Sequence, residues 1–145
     1  DLYKKLVIEE QKARFIAGGA FDSRDPYLFT IQASVVDKND LQYIKDEVAK
    51  AIDNLISNGV DEQILADTKS HLKYSFAMQI DNPDQVASTL CHYISLTGDP
   101  ESINRVYDMY EKVSIDDVKT IAKKYFSPSS LTIATISADT KGGVK

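Results

Sequence analysis

The chain has 145 residues with 43% apolar and 27% charged side chains, the balance of a folded globular domain large enough for a core. Its net charge of −5, without any block of like charges, argues against nucleic acid or an anionic membrane as partner. Cys91 is the one cysteine, which excludes an internal disulfide and every multi-cysteine zinc site while leaving the compartment open, cytoplasmic or periplasmic.

Leu2, Leu6 and Ile8 predict a first helix ending near Lys12. The chain thus opens inside a helical pattern and without Met, and reads as a piece cut from something longer. No apolar run approaches the roughly 18 residues of a membrane span, and no leader pattern is present. RFIAGGAF and YLFTIQASVV are rich in β-branched and aromatic residues and flank the turn-forming DSRDP, so they predict two strands. Gly18 and Gly19 predict a bulge or a close approach in the first. The second alternates Phe29, Ile31, Ala33 and Val35 against Leu28, Thr30, Gln32 and Ser34, the pattern of a sheet covered on one side.

After Val36 the period becomes helical. Asn39 and Gln42 predict a capping box for a helix with the stripe Leu41, Ile44, Val48, Ile52 and Leu55, closed by Gly59 as a left-handed cap. A second helix starts at Asp61, with Leu65, Leu72, Phe76 and Ile80 on one side, and breaks at Asn82-Pro83. A third packs through Val86, Leu90 and Ile94. Asp99-Pro100 opens a fourth with Ile103, Val106 and Tyr110. Ser114 and Asp117 cap a fifth that buries Val118, Ile121 and Tyr125 and stops before Pro128. LTIATIS predicts a final strand, and residues 138–145 a polar, flexible tail. The fold class is therefore α+β: helices packed on one face of a mainly antiparallel sheet.

Zinc hydrolysis needs convergent imidazoles and a carboxylate. The two histidines, His71 and His92, fall on different predicted helices. His71 stands four residues after Asp67 and reads as half of a solvated carboxylate–imidazole pair; His92 reads as an exposed helix residue. Cys91 shares a side with Ala87 and Ile94 and reads as a small buried hydrophobe. The serines of SPSSL have no partnered base, and Gly18-Gly19 lacks the rest of a phosphate loop. Tyr107 and Tyr110 follow helical spacing and read as core-capping residues. Glu9 and Glu10 diverge by about 100° on a helix, so they read as surface charges that end it. Composition and spacing alone disclose no catalytic or metal-ligating set.

The stretches LYKKLVIEEQKA, DPYLFTIQASV, LISNGVDEQILADTKSHLKYSF and VSIDDVKTIAKKYFSPSSLTIATI, in this order, resemble the C-terminal part of an M16-family metallopeptidase domain, the family of insulinases, pitrilysins and mitochondrial processing peptidases. The resemblance covers residues 2–137 and implies one half-domain of that fold over 1–137. It further implies a homologous M16-type domain as partner, in the same or another chain, and unfolded peptide as substrate. Zinc is expected in the parent or partner domain, because the HxxEH motif lies outside this chain. The family's substrate-holding Arg and Tyr register on Val7 and Arg14, so the pair is missing and this chain is expected to be inactive alone. Arg14, Gly18 and Gly19 are then the candidate substrate-binding residues. The expected function is the non-catalytic, substrate-chamber part of a zinc metallopeptidase; the alternative is a catalytically silent structural or assembly domain.

Overall fold

The computed structural model describes residues 2–137, so the expected tail lies outside the described residues. The fold is α+β, with one two-stranded antiparallel sheet and five α-helices among the described residues. The chain divides into two compact units. The first comprises the part up to Ala20, Leu28–Asn58 and the part from Lys119; the second comprises Phe21–Tyr27 and Gly59–Val118.

In the first unit, a π-helical segment, Lys4–Glu9, leads into β1, Ala13–Ala20, which pairs with β2, Phe29–Val35. The expected first helix stops short of Lys12, because Gln11 takes a left-handed φ of 53° that no helix continues. The amide of Glu10 donates to Lys5 O and that of Lys12 to Leu6 O, each at 2.9 Å, which satisfies the wide last turn. The sheet register runs from Ala13↔Val35 to Ala20↔Phe29. The bulge expected at Gly18-Gly19 is not there: both glycines sit in regular register, opposite Ile31 and Thr30. The irregularity falls instead between Ala13 and Phe15, where Ala13 is drawn into the core. Close approach does occur at Gly18, where a Cβ would stand 3.3 Å from Ile31 Cγ1.

The core of this unit is small: Leu6 (0% exposed), Ala13 and Ile44, with Leu2, Val7, Ile16, Val35 and Tyr43 packed around it. Ile44 lies on α1, Leu41–Asn58. The predicted stripe of Leu41, Ile44, Val48, Ile52 and Leu55 is shielded along its whole length. The capping box expected at Asn39 does not form. Asp37 accepts the Asn39 amide at 2.9 Å and caps a short 3-10 turn, and the Gln42 side chain turns to Asp46.

In the second unit, α2 (Glu62–Gln79), α3 (Pro83–Thr97) and α4 (Ser102–Lys112) pack on one another. Asp61 caps α2 through the Gln63 and Ile64 amides, and Asn82 caps α3 through the Gln85 amide. Phe76 of α2 meets Tyr107 of α4 with ring centroids 4.0 Å apart, and Tyr110 stands edge-on to Tyr107. Burial and the neighbouring hydroxyls of Tyr93 and Tyr110 push the Tyr107 phenol up to about 12. The covered sides differ from the expected ones. On α2, Leu65 and Phe76 are half-buried while Leu72, and Ile80 just past the helix end, are exposed; on α3, Leu90, Tyr93 and Leu96 turn inward while Val86, Cys91 and Ile94 do not. The Tyr107 ring, not Tyr110, is the half-buried one on α4.

The fifth helix, α5, is Ile115–Tyr125. Ser114 and Asp117 cap it reciprocally: the Ser114 amide donates to Asp117 Oδ2 at 2.8 Å and the Asp117 amide to Ser114 Oγ at 3.1 Å. Ala122 is its buried residue, whereas Ile121 and Tyr125 are exposed, contrary to expectation. Beyond it, Ser127, Ser129 and Ser130 hydrogen-bond among themselves, and Ser130 Oγ donates to Tyr125 O. The expected final strand joins no ladder among the described residues, since the sheet ends with β1 and β2.

Gly59, at φ 77° between α1 and α2, has the left-handed cap conformation expected of it. Gly59→Val should lower stability by about 1 kcal/mol or more, because a β-branched residue resists positive φ. Chemical denaturation of the pair of proteins checks this; equal midpoints would contradict it.

Candidate functional site

The three candidate residues lie on one strand. Arg14 is the extra residue at the β1 bulge and is exposed; Gly18 follows four residues on, about 13 Å along the strand at the usual rise. Gly18 faces the apolar side with Ile31 and Phe29, and a Cβ there would make the Ile31 side chain give by a few tenths of an ångström. Gly19 has nothing within 4 Å of where a Cβ would stand. Among the described residues β1 pairs with β2 alone, leaving the other side of β1 without a ladder partner. The arrangement offers main-chain donors and acceptors along β1, no side chain at Gly18 and Gly19, and one cation at the bulge.

Val7, where the family resemblance implies the substrate-holding Arg, is half-buried against Leu6, Ala13 and Ile44. It is a packing residue. Glu9 is exposed and stands 3.7 Å from Lys4 Nζ. Glu10 is not the surface charge expected. Its Oε1 accepts the Tyr43 hydroxyl at 2.9 Å, and its Oε2 is buried and makes no hydrogen bond. The two carboxylates therefore diverge and do not form one catalytic pair.

Around this junction is an ionic network that sequence reasoning missed. Lys5 and Lys50 both bond the Glu47 carboxylate, and Lys12 bonds Asp40 while lying 4.7 Å over the Tyr43 ring. Hydrogen bonds from Lys5 and then Lys50 hold the Glu47 carboxyl below its usual range, and Glu47 and Asp40 raise Lys5 and Lys12 respectively. The pairs span 42 and 28 residues of sequence, so no local spacing announced them.

The remaining candidates disperse. Asp67 does not pair with His71: it accepts from Gln63, and His71 stands 3.4 Å from Ser75 Oγ. His92 is exposed, as expected, with Nε2 3.8 Å from Asp22 Oδ2. The described residues contain no group of three His, Cys, Asp or Glu side chains placed to hold a metal. No helix of the described chain is long and apolar enough to cross a membrane. An open cavity of about 340 Å³ is lined by Met78, Gln85, Ser88 and Thr89, none of them a titratable group.

Two outcomes follow from the junction. Gln11→Gly should raise stability by up to about 1 kcal/mol, since glycine adopts φ 53° without the Cβ penalty that opposes its greater unfolded freedom; a loss on denaturation would contradict this. Glu47, with its folded pKa depressed, contributes stability that is present above the ordinary value of 4.5 and is lost as pH falls through the lower folded-state value. Thermal melts across acid pH should therefore show a larger decline for the wild type than for Glu47→Gln, and parallel declines would contradict the assignment. No family model, curated protein or solved structure matches this chain.

Proposed function

We propose that this chain is the non-catalytic, substrate-chamber part of an M16-like zinc metallopeptidase, with the HxxEH motif and its zinc outside these residues. A homologous domain would close the chamber around unfolded peptide. The observation that carries this reading is the open side of β1, which runs from Arg14 at the bulge to the side-chain-free Gly18 and Gly19. An extended peptide adds to such an edge through main-chain hydrogen bonds, which tolerate any sequence. Arg14 supplies a cation for a peptide carbonyl or carboxylate at one end of that strand.

Among the described residues, the histidines do not converge with other donors on a point where a zinc ion could sit. His71 and His92 lie on α2 and α3, with Ser75 and Asp22 as their respective neighbours, and no third ligand converges on either among the described residues. Accordingly no hydrolytic step is assigned to this chain's side chains. One observation favours the second reading, a catalytically silent structural or assembly domain: Val7 spends its side chain on the core instead of on substrate.

The test is binding of a fluorescent, unstructured peptide by anisotropy. Gly19→Val is the informative variant, because its side chain enters open space and leaves the Gly18–Ile31 contact intact. It should weaken binding severalfold, while Glu9→Gln with Glu10→Gln should not. Binding that depends on the two carboxylates and ignores Gly19 would overturn the proposal.

A further inference from the structure

The apolar face of the hairpin is covered at one end only. Ala13, Ile16 and Val35 belong to the core around Leu6 and Ile44. Farther along the same face, Ile31 and Phe29 are 37% and 49% exposed. Phe29 keeps that exposure although the Phe126 ring stands 5.0 Å from it.

At Gly18 the row of side chains across this open end is interrupted. A Cβ there would stand 3.3 Å from Ile31 Cγ1 and 3.8 Å from Phe29 Cζ, so both residues lean over the glycine. Gly19, on the opposite face with Thr30, has no such wall and meets nothing within 4 Å. A strand added to the free side of β1 places one residue beside Gly18 on the apolar face. That residue stands about 10 Å from Ile31, across two strand spacings. A side chain at position 18 would separate the two. With glycine there, an aromatic or long aliphatic side chain of the added strand lies across the gap onto Ile31 and Phe29, as aromatic residues cover edge glycines in other sheets. Alanine or serine is too short to reach.

We propose that this gap is a selective position on the peptide-binding edge: it takes extended peptides with Phe, Tyr, Leu or Met beside Gly18. The inference rests on the reading of β1 as a peptide site and names the class of peptide which that site prefers. Main-chain pairing along the rest of the strand remains indifferent to sequence. Arg14, four residues away, acts on a different part of the peptide.

Two fluorescent peptides of Ser and Thr, identical except for a central Phe or Ala, test it by anisotropy on the full chain. The Phe peptide should bind wild type roughly fivefold tighter than the Ala peptide. Ile31→Thr, which keeps a β-branched residue in the strand but removes the apolar wall, should equalise the two affinities. Gly18→Ala, which fills the gap itself, should do the same. Gly19→Val should weaken both peptides, and this arm reads the peptide site itself. Equal binding of the two peptides by wild type, with both still weakened by Gly19→Val, would overturn the preference and leave the peptide site standing. A Phe preference that survives both Ile31→Thr and Gly18→Ala would also overturn it. Absence of binding by either peptide would overturn the site and the preference together.

Discussion

Leu6 has no exposed surface, and it reaches that position only because the chain turns back on itself between Glu10 and Lys12. The reversal costs something: Gln11 sits at φ 53°, and the preceding turns widen to π-helical spacing. Burying Leu6 against Ala13 and Ile44 is worth about 2–3 kcal/mol, enough to offset that strain. Glu10 on Tyr43, Lys5 on Glu47 and Lys12 on Asp40 then fix the same segment to α1 and to the turn before it. Without this junction β1 would have no anchor beyond its own hairpin, and a two-stranded hairpin is marginal alone.

Local signals were legible. Helix starts at Asp61, Asn82 and Ser114 rest on side chains that bond amides two or three residues away, so the spacing discloses them. The left-handed Gly59 and the stripe of α1 are local as well. What was not legible depends on partners distant in the chain. Cys91 and Ile121 continue plausible apolar faces, yet the described chain packs the neighbouring Tyr93 and Ala122 inward instead. The 131–137 segment has strand chemistry, but a strand exists only with a neighbour. At the candidate site, Gly18 and Gly19 are visible in sequence, whereas Tyr43, Asp40 and Glu47 are tied to the site through contacts across 28 to 42 residues.

The physical character of the site follows from these facts. One strand of the sheet has two adjacent glycines and an arginine at its irregular end; the other carries no charge. Main-chain pairing is the chemistry that such edges offer, and it discriminates little among sequences. The proposal of a peptide surface rests on that chemistry, whereas a pocket for a defined small molecule needs convergent polar groups. Titratable side chains here instead serve the fold: Glu47, Asp40 and Glu10 all have protein partners at the junction.

The central claim is that hydrolysis, where it occurs, belongs to residues outside this chain. The most direct measurement is the full sequence of the native polypeptide that carries it, together with that of any protein that purifies with it in fixed stoichiometry. The account predicts an HxxEH motif in one of them, on a domain homologous to this one. A complete native polypeptide with no HxxEH, and no partner bearing one, would contradict the peptidase assignment.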